Sequence, residues 1–256
     1  MSEMQVQPAP AAPAESPALS QWQRIINVFT APSKTFIDIR DHSRAWWLPF
    51  VLFVVVGTSL FATVTAKVGW EQVVQNSLRL SPKQAEQLEQ LTPEQRAAQM
   101  KIAPIIQEVI WGGAPIWVLV MNLLAAGILL GTINFGFGGR ANYSKVLAVT
   151  WYAGLPGLIK LLLGIVGLWV GVAAESFLPQ NAAGTNLGYF FAPPEVPMVA
   201  WVLLVTLDVT SIWTMVLISK GLATVAGTKP ASGYIAVFAW WVIAILLNLG
   251  MTAAMS

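Results

Sequence analysis

The chain has 256 residues, 56% hydrophobic and 10% charged, with a net charge of +2. A soluble domain carries about 25% charged residues, so this composition excludes an ordinary water-soluble globule and fits a surface that faces lipid. The small net charge argues against nucleic acid as a partner, and the lack of cysteine removes disulfides, thiolate nucleophiles and cysteine metal sites together.

Residues 1–19 are rich in Pro and Ala, with Glu3 and Glu15 and no basic stretch. They read as a disordered tail rather than a signal peptide, so the first span is expected to act as the insertion signal. In residues 20–45, Ser20 and Gln23 form a capping-box pattern, Trp22, Ile25, Ile26 and Phe29 fall on one helical face, and Pro32 ends the segment. A second short segment gathers Phe36, Ile37 and Ile39 between Lys34, Arg40 and Arg44. Two readings stand: a pair of cytoplasmic interfacial helices lying on the membrane, or a pre-span segment packed on the protein's own loops.

Crossing a bilayer takes about 20 apolar residues. Five stretches qualify: 46–66, 114–134, 147–173, 197–219 and 233–253. The tryptophans, 12 in all, include pairs at Trp46–Trp47 and Trp240–Trp241, and Trp favours the membrane interface. Between the first two spans, residues 67–103 form a polar excursion of nearly balanced charge. Two helix starts are legible there, Ser81-Pro82-Lys83-Gln84 and Thr92-Pro93-Glu94-Gln95. The mixed charge fits a solvated helical loop. Gly127 and Gly131 in span two, and Gly164, Gly167 and Gly171 in span three, have the small-residue spacing that lets helices approach, within one chain or between copies. The expected fold is all-α: a polytopic membrane bundle of about five helices (residues 46–253), with interfacial N-terminal helices and a short extramembrane helical excursion.

Five spans place the termini on opposite sides. One side collects Arg24, Lys34, Arg40 and Arg44, then Arg140 and Lys145 in the turn at 135–145, then Lys220 and Lys229 in the turn at 220–232. Neither short turn contains an acid. Cytoplasmic loops are enriched in Lys and Arg, so the N-terminus is expected in the cytoplasm and the C-terminus outside.

Three stretches resemble the Yip family of five-span membrane proteins, and its bacterial members in particular. The first is Val28-Phe29-Thr30-Ala31-Pro32-Ser33-Lys34-Thr35-Phe36, followed by Ile39 and Trp46-Trp47-Leu48-Pro49. The second is Gly138-Gly139-Arg140-Ala141-Asn142-Tyr143 through Leu155-Pro156. The third runs from Gly221-Leu222 to Gly227, then Lys229-Pro230-Ala231 before a Trp-bearing last span. Eukaryotic members of that family interact with Rab GTPases in vesicle traffic. The resemblance implies a membrane protein that works through partners, here in a bacterial inner membrane.

No catalytic or nucleotide-binding motif is present. There is no H-E-x-x-H, G-x-S-x-G, Walker loop or Rossmann fingerprint, so no enzyme and no cofactor is expected. His42 is the one histidine, which leaves no metal-ligand set. The charges inside spans are more telling. Lys160 falls near the middle of span three and Asp208 near the middle of span four. A lone charge there costs about 2.5–3.5 kcal/mol on insertion scales, and antiparallel neighbouring spans would let the two pair. That pair is either a lock between two helices or a relay in a transporter.

The leading functional expectation is a non-enzymatic membrane protein that binds partners or organises the bilayer. Its working parts would be the cytoplasmic pre-span helices (Trp22, Phe29, Pro32, Phe36, Arg40, Arg44) and the basic turns (Arg140, Lys145, Lys220, Lys229). The alternative is a small transporter or channel built on Lys160 and Asp208. Expected partners are the lipid bilayer and another membrane protein or a second copy, with no nucleic acid.

Overall fold

Local capping chemistry sets where the first helix begins. In the computed structural model, which describes residues 17–191 and 195–255, Ser20 Oγ accepts from Gln23 N at 3.2 Å and Ser20 N donates to Gln23 Oε1 at 2.8 Å. The helix that follows, α1, is Gln21–Thr30, and Pro32 opens α2, Pro32–Asp41. The expected tail at 1–19 lies outside the described residues as far as residue 16.

The fold is all-α, and the described residues hold no named strand. Five helices are long and apolar enough to cross a membrane: Trp47–Lys67, Ala114–Gly136, Tyr143–Val170, Val209–Ala226 and Pro230–Ala253. Helix α3 is Trp47–Lys67. Helices α4 (Trp70–Arg79), α5 (Pro82–Glu89) and α6 (Pro93–Gly112) make up the excursion. Thr92 completes a capping box with Gln95, whereas the Ser81 side chain makes no cap bond. Helix α4 had no legible start in sequence: its N-cap is Gly69 at φ +79°, which offers no side-chain oxygen. Helix α6 runs past residue 103 to Gly112, where Gly113 alone separates it from α7, Ala114–Gly131. A single π-turn, Thr132–Gly136, continues α7 into the first basic turn.

Span three is broken. Helix α8 (Tyr143–Ala153) gives way at Gly154–Leu155 to α9 (Pro156–Val170), because Pro156 has no N–H to continue the ladder. Gly171, at φ +117°, terminates α9 in the left-handed region. Span four differs more from expectation. The stretch 197–219 is not one helix: α10 (Met198–Thr206) stops, Leu207 and Asp208 leave helical geometry, and α11 (Val209–Ala226) begins afresh. Asp208 is extended (φ −95°, ψ 130°) and accepts at its side chain from Thr210 N and Ser211 N. A carboxylate in that role starts a helix rather than sitting within one. Helix α12, Pro230–Met255, closes the bundle.

Helix α11 packs on α12, α8, α2 and α9, while α3 packs on α9 and α7 on α8. The larger core joins Phe36 and Ile39 of α2 to Trp151, Tyr152 and Leu155, and to Leu222 of α11. A second core at the other end joins Leu60 and Val64 to Trp70, Leu168 and Phe177. Gly157 faces Phe53 and Gly164 approaches Leu60, so Lys160, between them, lies level with the middle of α3.

Candidate functional site

Two places in the bundle concentrate polar groups. The first lies around the N-terminal hairpin. Arg24 Nε donates to Asp38 Oδ2 at 2.5 Å, with the two side chains 2% and 5% exposed. Asp38 Oδ1 accepts from Leu19 N at 2.8 Å and lies 3.3 Å from His42 Nδ1. Thr35 Oγ1 donates to the Arg24 carbonyl at 3.0 Å. The Arg24 guanidinium lies 6.0 Å from the centre of the Tyr152 ring. The face of α1 that docks on the bundle thus holds Arg24 and Val28, while Trp22 and Ile26 remain more than half exposed and Phe29 lies at the margin, partly exposed. Charge is buried and apolar surface left outside because Asp38 offers Arg24 a partner, and a buried charge is tolerated only when paired.

Phe36, expected on the interfacial face, is fully buried against α8 and α11. Pro32 is the first residue of α2. The Phe29 ring meets Trp213 edge-on at 5.6 Å. Arg40 is exposed and donates to Asp41 at 2.7 and 2.9 Å, which holds the Asp41 carboxyl below its ordinary range. Arg44, Arg140 and Lys229 are exposed, and Lys145 and Lys220 are half-buried. Arg140 N donates to Ala226 O at 3.0 Å, so the two basic turns are stitched together at one end of the bundle. Asn134 holds the first turn closed by bonding both N–H and C=O of Ala141, at 3.0 and 2.9 Å.

The glycines expected to pack helices divide differently. A Cβ at Gly164 would sit 2.8 Å from Ala182 Cβ and 3.6 Å from Leu60 Cδ1, so this glycine admits the 174–191 loop more closely than it does α3. At Gly167 it would meet only Val172, and at Gly127 only the Tyr143 ring. Gly131 and Gly171 face open space. The close helix contacts are elsewhere: Gly221 lies against Val149 and Phe36, and Gly233 against Ser219 and Ala223.

The second polar site lies at mid-depth. Lys160 Nζ donates to Asp208 Oδ2 at 3.0 Å. The same oxygen accepts from Thr185 Oγ1 at 2.5 Å and from Asn186 Nδ2 at 3.3 Å. Asp208 Oδ1 accepts from Thr210 Oγ1 at 2.6 Å, Thr210 N at 2.9 Å and Ser211 N at 3.1 Å. Asp208 is 2% exposed. Three segments therefore converge on one carboxylate: α9, the start of α11, and the 174–191 loop, which pairs Asn186 with Asp208 in an isolated bridge. Thr185 and Asn186 had no signal in sequence, since nothing local marks a loop that reaches back into the bundle.

The Yip1 domain pattern matches residues 26–251. The chain belongs to the Yip1 family. The match takes in most of the docked hairpin, the polar excursion and the five apolar helices, the last as far as residue 251. No curated protein and no solved structure matches the chain at a significant level. The protein is therefore a Yip1-family membrane protein with five apolar helices long enough to span a bilayer.

Proposed function

We propose that this Yip1 domain is a non-enzymatic multi-pass protein that binds partner proteins, or organises the membrane, through the end of the bundle that carries the hairpin and the basic turns. The supporting observation is the exposed apolar surface of the hairpin: Trp22 and Ile26 of α1 are more than half exposed, and Phe29, also of α1, and Ile37 of α2 are partly so. The hairpin packs on α8 and α11, the helices that carry Lys145 and Lys220. Exposed apolar side chains at an end of the bundle that also carries Lys and Arg suit an anionic leaflet, where each base contributes about 1 kcal/mol, or a partner's transmembrane helix. Under the same reading this end is cytoplasmic, in a bacterial inner membrane, because basic residues collect on that side. The test is Trp22→Ser with Ile26→Ser, chosen because these side chains leave the core intact. Crosslinking to partners in native membranes should fall at least tenfold while insertion and thermal stability hold. Unchanged crosslinking removes this reading.

A second reading is favoured by one observation, the break in span four at Asp208. Discontinuous helices at mid-membrane are where transporters place their sites. Here flux in reconstituted vesicles should require Asp208. No flux in the parent protein, or unchanged flux in Asp208→Asn, removes it.

A further inference from the structure

The bundle is packed unevenly on the two sides of the Lys160–Asp208 pair. Towards the basic turns, Trp151, Tyr152, Leu155, Leu158 and Met215 belong to one buried apolar core, and that core separates the pair from Arg140 and Lys220. Towards the other end, a cavity of about 400 Å³ opens between α4, the 174–191 loop and α10. Its lining includes Asn76, Arg79, Glu175, Asn181, Tyr189 and Trp201.

Asn181 connects this cavity to the ion pair. Its Oδ1 accepts from Asn186 Nδ2 at 2.8 Å, and that same Nδ2 lies 3.3 Å from Asp208 Oδ2. Asn186 is 5% exposed, and its Oδ1 has no partner among the described residues. The amide orientation is set by its neighbours, because a flipped Asn186 would turn Oδ1 against the Asp208 carboxylate. A buried carbonyl oxygen left unpaired is costly, and in folded proteins ordered water commonly satisfies such an atom.

We infer that water enters through this cavity as far as the Asn181–Asn186 amides. The ion pair is then hydrated from the face of the 174–191 loop and sealed from the face of the basic turns. The species admitted are water, protons and small hydrophilic solutes. The inference deepens the transport reading, on which it rests only for its biological use, by giving the access route. It is tested separately, because hydration is measured without any flux.

The chain has no cysteine, so single-cysteine variants report one position each. Asn186→Cys and Asn181→Cys, in the full chain reconstituted in vesicles, are treated with a small membrane-impermeant methanethiosulfonate from either side. Val166→Cys is the control: its side chain is 54% exposed on α9, in an apolar stretch long enough to cross a membrane. Both test positions should react from the loop face at least tenfold faster than the control, and not from the face of Arg140. Where Asn186→Cys does not fold, Thr185→Cys replaces it. Rates equal to the control, reaction from the basic face, or reaction at Asn181→Cys with a folded deeper variant unreactive would each overturn the inference. Labelling without flux upholds it and removes the transport reading alone.

Discussion

Arg24 and Asp38 are fourteen residues apart in sequence and form a 2.5 Å ion pair that is almost wholly buried. The pair ties α1 to α2 beneath an exposed apolar face, so the hairpin is part of the folded bundle. Deleting it would remove Val28, Phe36 and Ile39 from the core as well. For that reason a deletion cannot separate partner binding from stability, and surface substitutions are needed.

Removing one member of a buried pair strands the other charge. Arg24→Met or Asp38→Asn should each destabilise the protein by about 3–5 kcal/mol. The double variant Arg24→Met with Asp38→Asn should recover much of that loss, since no unpaired charge is then left buried and the amide at position 38 can still accept from Leu19 N. Thermal unfolding in detergent, followed by circular dichroism, reads all three. A double variant no better than the worse single one would show that the pair is not the source of the loss.

Asp208 has two duties, capping α11 and pairing with Lys160. Losing an N-cap costs about 0.5–2 kcal/mol, so Asp208→Ala should be worse than Asp208→Asn, whose side chain can still accept from Thr210 N. A double-mutant cycle with Lys160→Met should give a coupling of about 0.5–3 kcal/mol. Additive losses would mean that the Lys160 contact contributes nothing and that Asp208 acts through its cap alone.

Gly221 and Gly131 make a paired comparison. A Cβ at Gly221 would collide with Val149 and Phe36, whereas one at Gly131 meets nothing within 4 Å. Gly221→Ala should cost about 1–3 kcal/mol by overpacking, and Gly131→Ala should stay within about 0.5 kcal/mol. Equal effects in thermal melts would contradict this division.

The fold class was legible because its signals are local. Hydropathy over a window of about 20 residues marks a span wherever the chain sits, and the Ser20 and Thr92 capping boxes lie within four residues. Boundaries drifted where a polar side chain rather than a hydropathy change ends the helix. Asp208 shows this: its stretch reads as one apolar span, yet the carboxylate caps α11 and splits the segment. Glycine spacing flagged Gly127 and Gly131 but not Gly221, because spacing records small residues and not what stands opposite them.

Sequence alone determined that five apolar helices must sit in lipid, that one end carries the basic turns, and that two charges inside the membrane segments need compensation. Each follows from the free energy of moving a side chain between water and hydrocarbon, which depends on the residue and its immediate neighbours. Tertiary structure decided which face of α1 is buried, which glycines are close contacts, and that Thr185 and Asn186 join Lys160 at Asp208. Those outcomes depend on segments that are not neighbours in sequence meeting in space, Gly221 with Val149 and Phe36 among them, and hydrogen bonds act only across a few ångströms.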